Sequence, residues 1–501
     1  MQRHMPRLPA NLYARWRSQH APALALHEAA GGGPPPERLL QQIWWYQRLQ
    51  RDRLRTFDGR RLQVLHPGFP NREAGPDFRQ ALLQFDTDPP VCGDVEVDIQ
   101  PGGWRGHRHD DNPTYRQVAL HVVWDGDPAA KPPLPTLALR EVLDASVSEL
   151  AHWLGEEAGA WPDELAGKCR APLRELNAVH AGELLEQAAH LRLQAKAAAL
   201  LARARQAGAD QALWEGLFSA LGYKHNVWPM RRLAELRPQL TAAGDAAPAL
   251  AWQARLLGVG GLLPAEPPRR DGPGAKYFRA LWDCWWRERD GFSEWLLPRH
   301  AWRLAGIRPA NHPQRRLALA AHWLARADLP GELEGWFTAM PPAAAARQSL
   351  LRLLQAQQDT FWSWHWTLRS APLAKPQPLL GAARVTDLAM NVILPWFWMR
   401  ADSGHNEELK RRVEAAYLAW PAGEDNAVLR QARQRLLGGA RLKLFRTAAR
   451  QQGLLQIVRD FCAQSNALCE GCRFPELVRG LAVGQASCRP EGPMGEGTPS
   501  G

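Results

Sequence analysis

Gly93-Asp94-Val95-Glu96-Val97-Asp98-Ile99 is an alternating run, and its period decides the reading of the N-terminal third of the chain. In an extended backbone successive side chains point to opposite faces, so Val95, Val97 and Ile99 share one face while Asp94, Glu96 and Asp98 share the other. The run predicts a β-strand with an apolar side and a side carrying three carboxylates. Like charges at that spacing repel unless water solvates them or a divalent cation neutralises them, and oxygen donors suit a hard cation such as Mg²⁺ or Mn²⁺.

Similar short apolar runs bounded by Gly, Pro, Asn and Asp lie on either side: RRLQVLH (60–66), QALLQF (80–85) and RQVALHVVW (116–124). With the first run they predict four strands. Upstream, ERLLQQIWWYQRLQRDR (37–53) has apolar residues at helical spacing and no Gly or Pro, which predicts an amphipathic helix. Beyond about Pro135 the chain becomes rich in Ala and Leu, with helices expected over 182–207, 213–221, 315–326, 343–358 and 427–452. The expected fold is α+β: a small mixed sheet with an α/β-like core at 37–145, then a mostly helical region at 146–460. Residues 1–36, which end in GGGPPP, read as a flexible leader, and 489–501 as a disordered tail. Seams are expected at 125–135 and 264–274, where Pro, Gly and Asp cluster.

Composition bounds the class. The 501 residues are 45% hydrophobic and 23% charged, which excludes a disordered or fibrous chain and predicts two to four domains. Net charge is +11 with an isoelectric point near 9.6, and of the basic residues 8 are Lys and 54 Arg. This suits a polyanionic partner such as nucleic acid, and it equally suits a GC-rich coding sequence that writes Arg for Lys. Seven Cys are too few for a disulfide scaffold. The basic start has no apolar segment after it, and no window is long and apolar enough for a membrane span, so a soluble cytoplasmic protein without membrane association is expected.

The chemistry concentrates in residues 66–124. Asp77 follows Gly75-Pro76, Glu96 and Asp98 sit on the acidic strand, and His107 and His109 follow in GHRHDD. A helix, a strand, Pro-Asp, a strand and then a strand bearing Glu-x-third residue resembles the restriction-endonuclease-like nuclease superfamily, whose motif is Pro-Asp followed by Glu-x-Lys. That resemblance implies metal-dependent hydrolysis of phosphodiester bonds in DNA or RNA, with Asp77 and Glu96 holding Mg²⁺. Asp98 stands where the Lys belongs, and the first Lys of the chain is Lys131. Asp98 is then a third acidic or positioning residue, and His107 or His109 supplies an auxiliary acid or base. His121, inside an apolar run, reads as a hydrogen-bonded strand residue. The competing reading is an inactive nuclease-like domain serving as a nucleic-acid or protein interaction module. A broader likeness rests on GPDF, GDVEV, W-x-x-H-x-H, Tyr115, LHVV, LGYKHN (221–226) and RPANHPQRRLA (308–318). It is similar to bacterial domain-of-unknown-function family 2851, whose Glu-bearing strand usually reads V-E-I-H; Asp98 replaces that His.

Cys462, Cys469 and Cys472 form a second cluster at 461–488, with spacing that suits Zn²⁺ or an iron–sulfur cluster, or a pair of unliganded thiols. The spacing resembles the cluster loop of helix-hairpin-helix DNA glycosylases, whose fourth Cys would fall at Val478. Cys488, or the distant Cys92 or Cys169, remains as the fourth ligand. Cys284 reads as a core residue. Arg-rich stretches at 192–205, 308–316 and 408–417 suit either phosphate contacts or solvated helix faces. Trp282, Trp286 and Trp396 read as core, whereas Trp362, Trp364 and Trp366 alternate and are the expected exposed aromatic set.

Overall fold

The computed structural model describes residues 7–20, 34–71, 75–107, 109–127, 132–147, 150, 171–223, 225–241, 248–264, 266, 274–326, 328–356, 359–438, 444–462 and 473–486. The fold is α+β, with one mixed sheet and a large helical region. Contacts divide the chain into two units, one of Leu24–Gly155 with Leu193–Pro421, the other of Met1–Ala23, Glu156–Arg192 and Ala422–Gly501.

The first unit begins with helix α2 (Glu37–Tyr46), which follows α1 (Leu12–His20) of the other unit. Leu39, Leu40, Ile43 and Trp44 are buried along one stripe of α2, as its sequence period requires. The helix ends seven residues short of the expected limit. Gln47 adopts a left-handed conformation (φ 49°), its amide side chain donates to Trp44 O at 2.7 Å, and Arg48 turns away to pair with Asp144 at 2.8 Å.

The strands are β1 (Leu62–His66), β2 (Phe69–Pro70), β3 (Phe78–Phe85), β4 (Val91–Asp98), β5 (Val118–Val123) and β6 (Thr136–Ala138). They are ordered β1-β3-β4-β5-β6, with β2 paired to β3. β1, β3 and β4 form an antiparallel meander, and β4-β5 and β5-β6 are parallel. Parallel neighbours need a crossover. Residues 99–117 supply the one between β4 and β5, with one α-helical turn, α3 (Gly103–Gly106), followed by two 3-10 turns at His109–Asp111 and Pro113–Tyr115. The apolar face of the sheet, including Val95, Val97, Leu120 and Val122, packs with Ile43 and Trp44 of α2 into one core.

Helices follow as α4 (Ala178–Ala207), α5 (Ala209–Leu221), α6 (Val227–Glu235), α7 (Ala249–Val259), α8 (Ala275–Glu288), α9 (Pro313–Leu324), α10 (Leu329–Thr338), α11 (Ala343–Leu354), α12 (Ala382–Leu388), α13 (Leu394–Ser403) and α14 (Glu407–Ala419). Trp228 of α6 meets Trp45 edge to face at 5.9 Å, and Arg51 pairs with Glu235, which docks α6 onto the sheet end of the unit. Buried Glu215 of α5 receives Arg203 bidentately at 2.8–2.9 Å.

In the second unit, α1, the start of α4, α15 (Ala427–Leu437), α16 (Ala448–Ile457) and α17 (Phe474–Ala486) surround a separate core. Part of the expected leader is therefore a helix. Tyr13 and Trp16 of α1 are buried, and Tyr13 Oη donates to Asp460 at 2.8 Å. The single helix expected over 427–452 is two, because α15 closes on Gly438, whose left-handed backbone (φ 59°) suits glycine.

The aromatic expectations divide. Trp396 is fully buried, but Trp286 is 46% exposed, stacked on Trp282 at 4.6 Å with the Arg289 guanidinium over it. Trp362, expected outside, is fully buried and donates to Tyr277 Oη. Cys284 is half-buried.

Candidate metal centre

The acidic face of β4 is not solvated: Asp94, Glu96 and Asp98 are all buried. Their opposite face lies in the core, so β4 is covered on both sides and each carboxylate needs a local partner. Asp94 accepts the Gln80 N–H at 3.0 Å. Glu96 Oε2 accepts the Asp77 N–H at 3.1 Å, and Asp77 returns the contact by accepting the Val97 N–H at 3.1 Å. Asp77 thus sits astride the end of β4, and Gln41 of α2 donates to its other oxygen at 3.0 Å.

β5 and the crossover bring the imidazoles. His121 pairs in register with Glu96 on β5 and its Nε2 lies 2.9 Å from Asp98 Oδ2, the hydrogen-bonded strand role expected of it. The crossover leaves the C-terminal end of β4, which is where open sheets with parallel strands place ligands. It sets His107 Nδ1 3.4 Å from Asp98 Oδ1 and His109 Nε2 3.3 Å from Glu96 Oε1. Ligand atoms of Asp98, His107 and His109 all lie within 4.8 Å of one another. Gly103 permits this approach, since a Cβ there would stand 2.7 Å from the Asp98 carboxylate.

His109 is the most informative member. It is buried, stacked on Tyr115 at 3.9 Å and edge-on to Trp104 at 5.2 Å, yet neither ring nitrogen makes a hydrogen bond. Its approach to Glu96 has ion-pair distance without hydrogen-bond alignment. A buried imidazole held rigidly by aromatic rings with its nitrogens unbonded suits a metal ligand. One carboxylate and two imidazoles favour a borderline cation such as Zn²⁺ or Fe²⁺, and accommodate Mn²⁺ more readily than Mg²⁺, which prefers oxygen alone.

Electrostatics point the same way. Burial pushes Glu96 up to about 8, helped by the nearby Asp77, and pushes Asp77 up to about 7. Glu37 is raised by its own burial and by Asp98. Burial lowers His109, against the opposing pull of Asp98. Buried among one another, Glu96 and Asp77 hold their protons unless a positive charge is placed beside them.

All five residues singled out from sequence, Asp77, Glu96, Asp98, His107 and His109, therefore meet at one edge of the sheet. The side chains whose possible ligand atoms converge within 4.8 Å are Asp98, His107 and His109, while Asp77 and Glu96 are joined through a backbone N–H. Gln41, Glu37, Trp104 and Tyr115 were not legible as site residues, although Tyr115 and Trp104 fall within the quoted family motifs. Of the cysteines, Cys462 ends a π-helical turn (Val458–Cys462), and Cys469, Cys472 and Cys488 lie outside the described residues, as does Cys169. Cys92 is exposed and Val478 is buried in the core of the second unit.

An α+β chain with a buried carboxylate–imidazole cluster on a mixed sheet is thus defined. The chain belongs to the family described as "Protein of unknown function (DUF2851)", whose model matches residues 37–426. No curated protein and no solved structure matches it.

Proposed function

We propose that the chain is a divalent-metal-dependent hydrolase of phosphodiester bonds in DNA or RNA. The observation that carries this reading is the convergence of Asp98, His107 and His109 beside Glu96, with both nitrogens of buried His109 unbonded. A cation bound there would polarise a phosphodiester oxygen and acidify a water. Asp98, fixed by His121, orients the ligand set, and Trp104 and Tyr115 keep His109 from rotating away. Glu96, whose proton affinity is raised by burial, is suited to take the proton of the attacking water. The Pro76-Asp77 and Glu96 resemblance to the restriction-endonuclease-like superfamily supports the choice of phosphodiester over other esters.

One observation favours a second reading. Asp98 occupies the motif's Lys position, so no ammonium orients the nucleophile; an inactive module that binds nucleic acid or protein would need none. Incubation of the full chain with Mn²⁺ or Mg²⁺ and labelled single- and double-stranded DNA and RNA separates the two. Hydrolysis that falls about 100-fold or more in Glu96→Gln and in His109→Ala supports the enzyme. Intact substrates throughout sink it and leave the module.

A further inference from the structure

A cavity of about 780 Å³ opens beside the carboxylate–imidazole cluster. Its walls come from two distant parts of the chain. Phe69, Arg79 and Asp94 belong to the sheet and Arg116 to the crossover, whereas His300 and Arg303 belong to the helical region. It adjoins the cluster through three neighbours. Asp94 precedes Glu96 by two positions on the same face of β4. Thr114 in the cavity wall precedes Tyr115, which stacks on His109. Arg79 lies against Gly75, where a Cβ would come within 3.3 Å of its guanidinium, two positions before Asp77.

The lining is cationic by construction. It carries three Arg and a His against one carboxylate, Asp94, which is already engaged by the Gln80 N–H. Arg116 and Arg303 are exposed, and among the described residues neither side chain has a hydrogen bond or an acidic partner. The helical contribution is rigid: the buried Asn226 side chain donates to Arg303 O at 3.0 Å and accepts the Arg303 N–H at 2.8 Å, while Trp302 donates to Gly260 O at 2.7 Å. Asn226 closes the LGYKHN stretch, for which the hydrolytic site itself has no use. Two exposed guanidiniums without an acidic partner among the described residues, Arg116 and Arg303, at the wall of an open cavity form a site for phosphates.

We infer that this cavity cradles the sugar–phosphate backbone of a single-stranded nucleic acid and delivers it to the cluster. The inference rests on the hydrolytic reading for its direction, though not for its binding chemistry. Arg79, Arg116 and Arg303 take phosphates, and the rings of Phe69 and His300 offer surfaces to unstacked bases. Those ring surfaces can stack only on bases that are not already stacked in a duplex, which favours a single strand.

Fluorescence anisotropy of labelled single-stranded DNA and RNA, and of the corresponding duplexes, tests this with EDTA present so that no cleavage occurs. The wild-type chain should bind single strands more tightly than duplexes. Arg116→Glu and Arg303→Glu, exposed changes checked for folding by circular dichroism, should each weaken binding about 10-fold or more. With Arg116→Ala or Arg303→Ala, the slope of log affinity against log salt should become shallower by about 0.7 for each lost phosphate contact. Absence of single-strand binding, or affinities and slopes unchanged in these variants, overturns the cradle. Arg-dependent binding without metal-dependent cleavage would keep the cradle and remove the hydrolase; cleavage with Arg-independent binding would do the reverse.

Discussion

At the scale of single residues the site is a balance between burial and missing positive charge. Glu96 and Asp77 hold their protons more tightly in the folded chain than in the unfolded one, where carboxyls titrate near 4. Protons therefore stabilise the metal-free fold. That contribution is complete below about pH 4 and is lost as pH rises through about 7 and 8. The melting temperature of EDTA-treated protein should fall as pH rises from about 4 to about 8 and level off above that. Glu96→Gln should flatten the fall, and Mn²⁺ should reverse it in the wild type. An equal fall in Glu96→Gln would show that the buried carboxyl is not its source.

At the scale of elements, the same chemistry explains what the basic motifs do. Arg315 and Arg316 of RPANHPQRR do not face phosphates: both are buried at the start of α9. Arg315 donates to the carbonyls of Trp362, His365, Gln377 and Pro378, and Arg316 to Leu379 O and Asn311. They tie down a stretch that has little regular structure, and in doing so draw Trp362 inside. Lys lacks the planar fork, so Arg315→Lys should leave carbonyls unsatisfied and cost about 2 kcal/mol or more in urea unfolding. A loss below about 0.5 kcal/mol would contradict that role. Legibility followed the strength of periodicity. The alternation of 93–99 and the helical stripe of 37–46 were readable because each buries a continuous apolar face. β2 and β6 were not, being two and three residues long, too short to show a period. The end of α2 at Gln47 depends on a distant partner, Asp144, that no local pattern announces. At the site, residue types were legible but the grouping was not: the crossover, not strand spacing, carries His107 and His109 to Asp98.

At the scale of the molecule, the Arg excess has a physical use whatever its coding origin. Many guanidiniums are structural, as in Arg48–Asp144, Arg203–Glu215 and Arg255–Glu288, and others lie over Trp or Tyr rings. The net charge of +11 is thus a poor guide to the partner, and the cavity beside the sheet is a better one. Among the described residues no helix is long and apolar enough to cross a membrane. As proposed, Asp98, His107 and His109 hold one divalent cation. Titration of the metal-free full chain with Mn²⁺, followed by electron paramagnetic resonance of the free ion, tests it with little interference from cysteine thiolates, which bind Mn²⁺ poorly. One Mn²⁺ should bind per wild-type chain, and that binding should be lost in His109→Ala, with the variant still folded. No stoichiometric binding, or the same binding in His109→Ala, would contradict it.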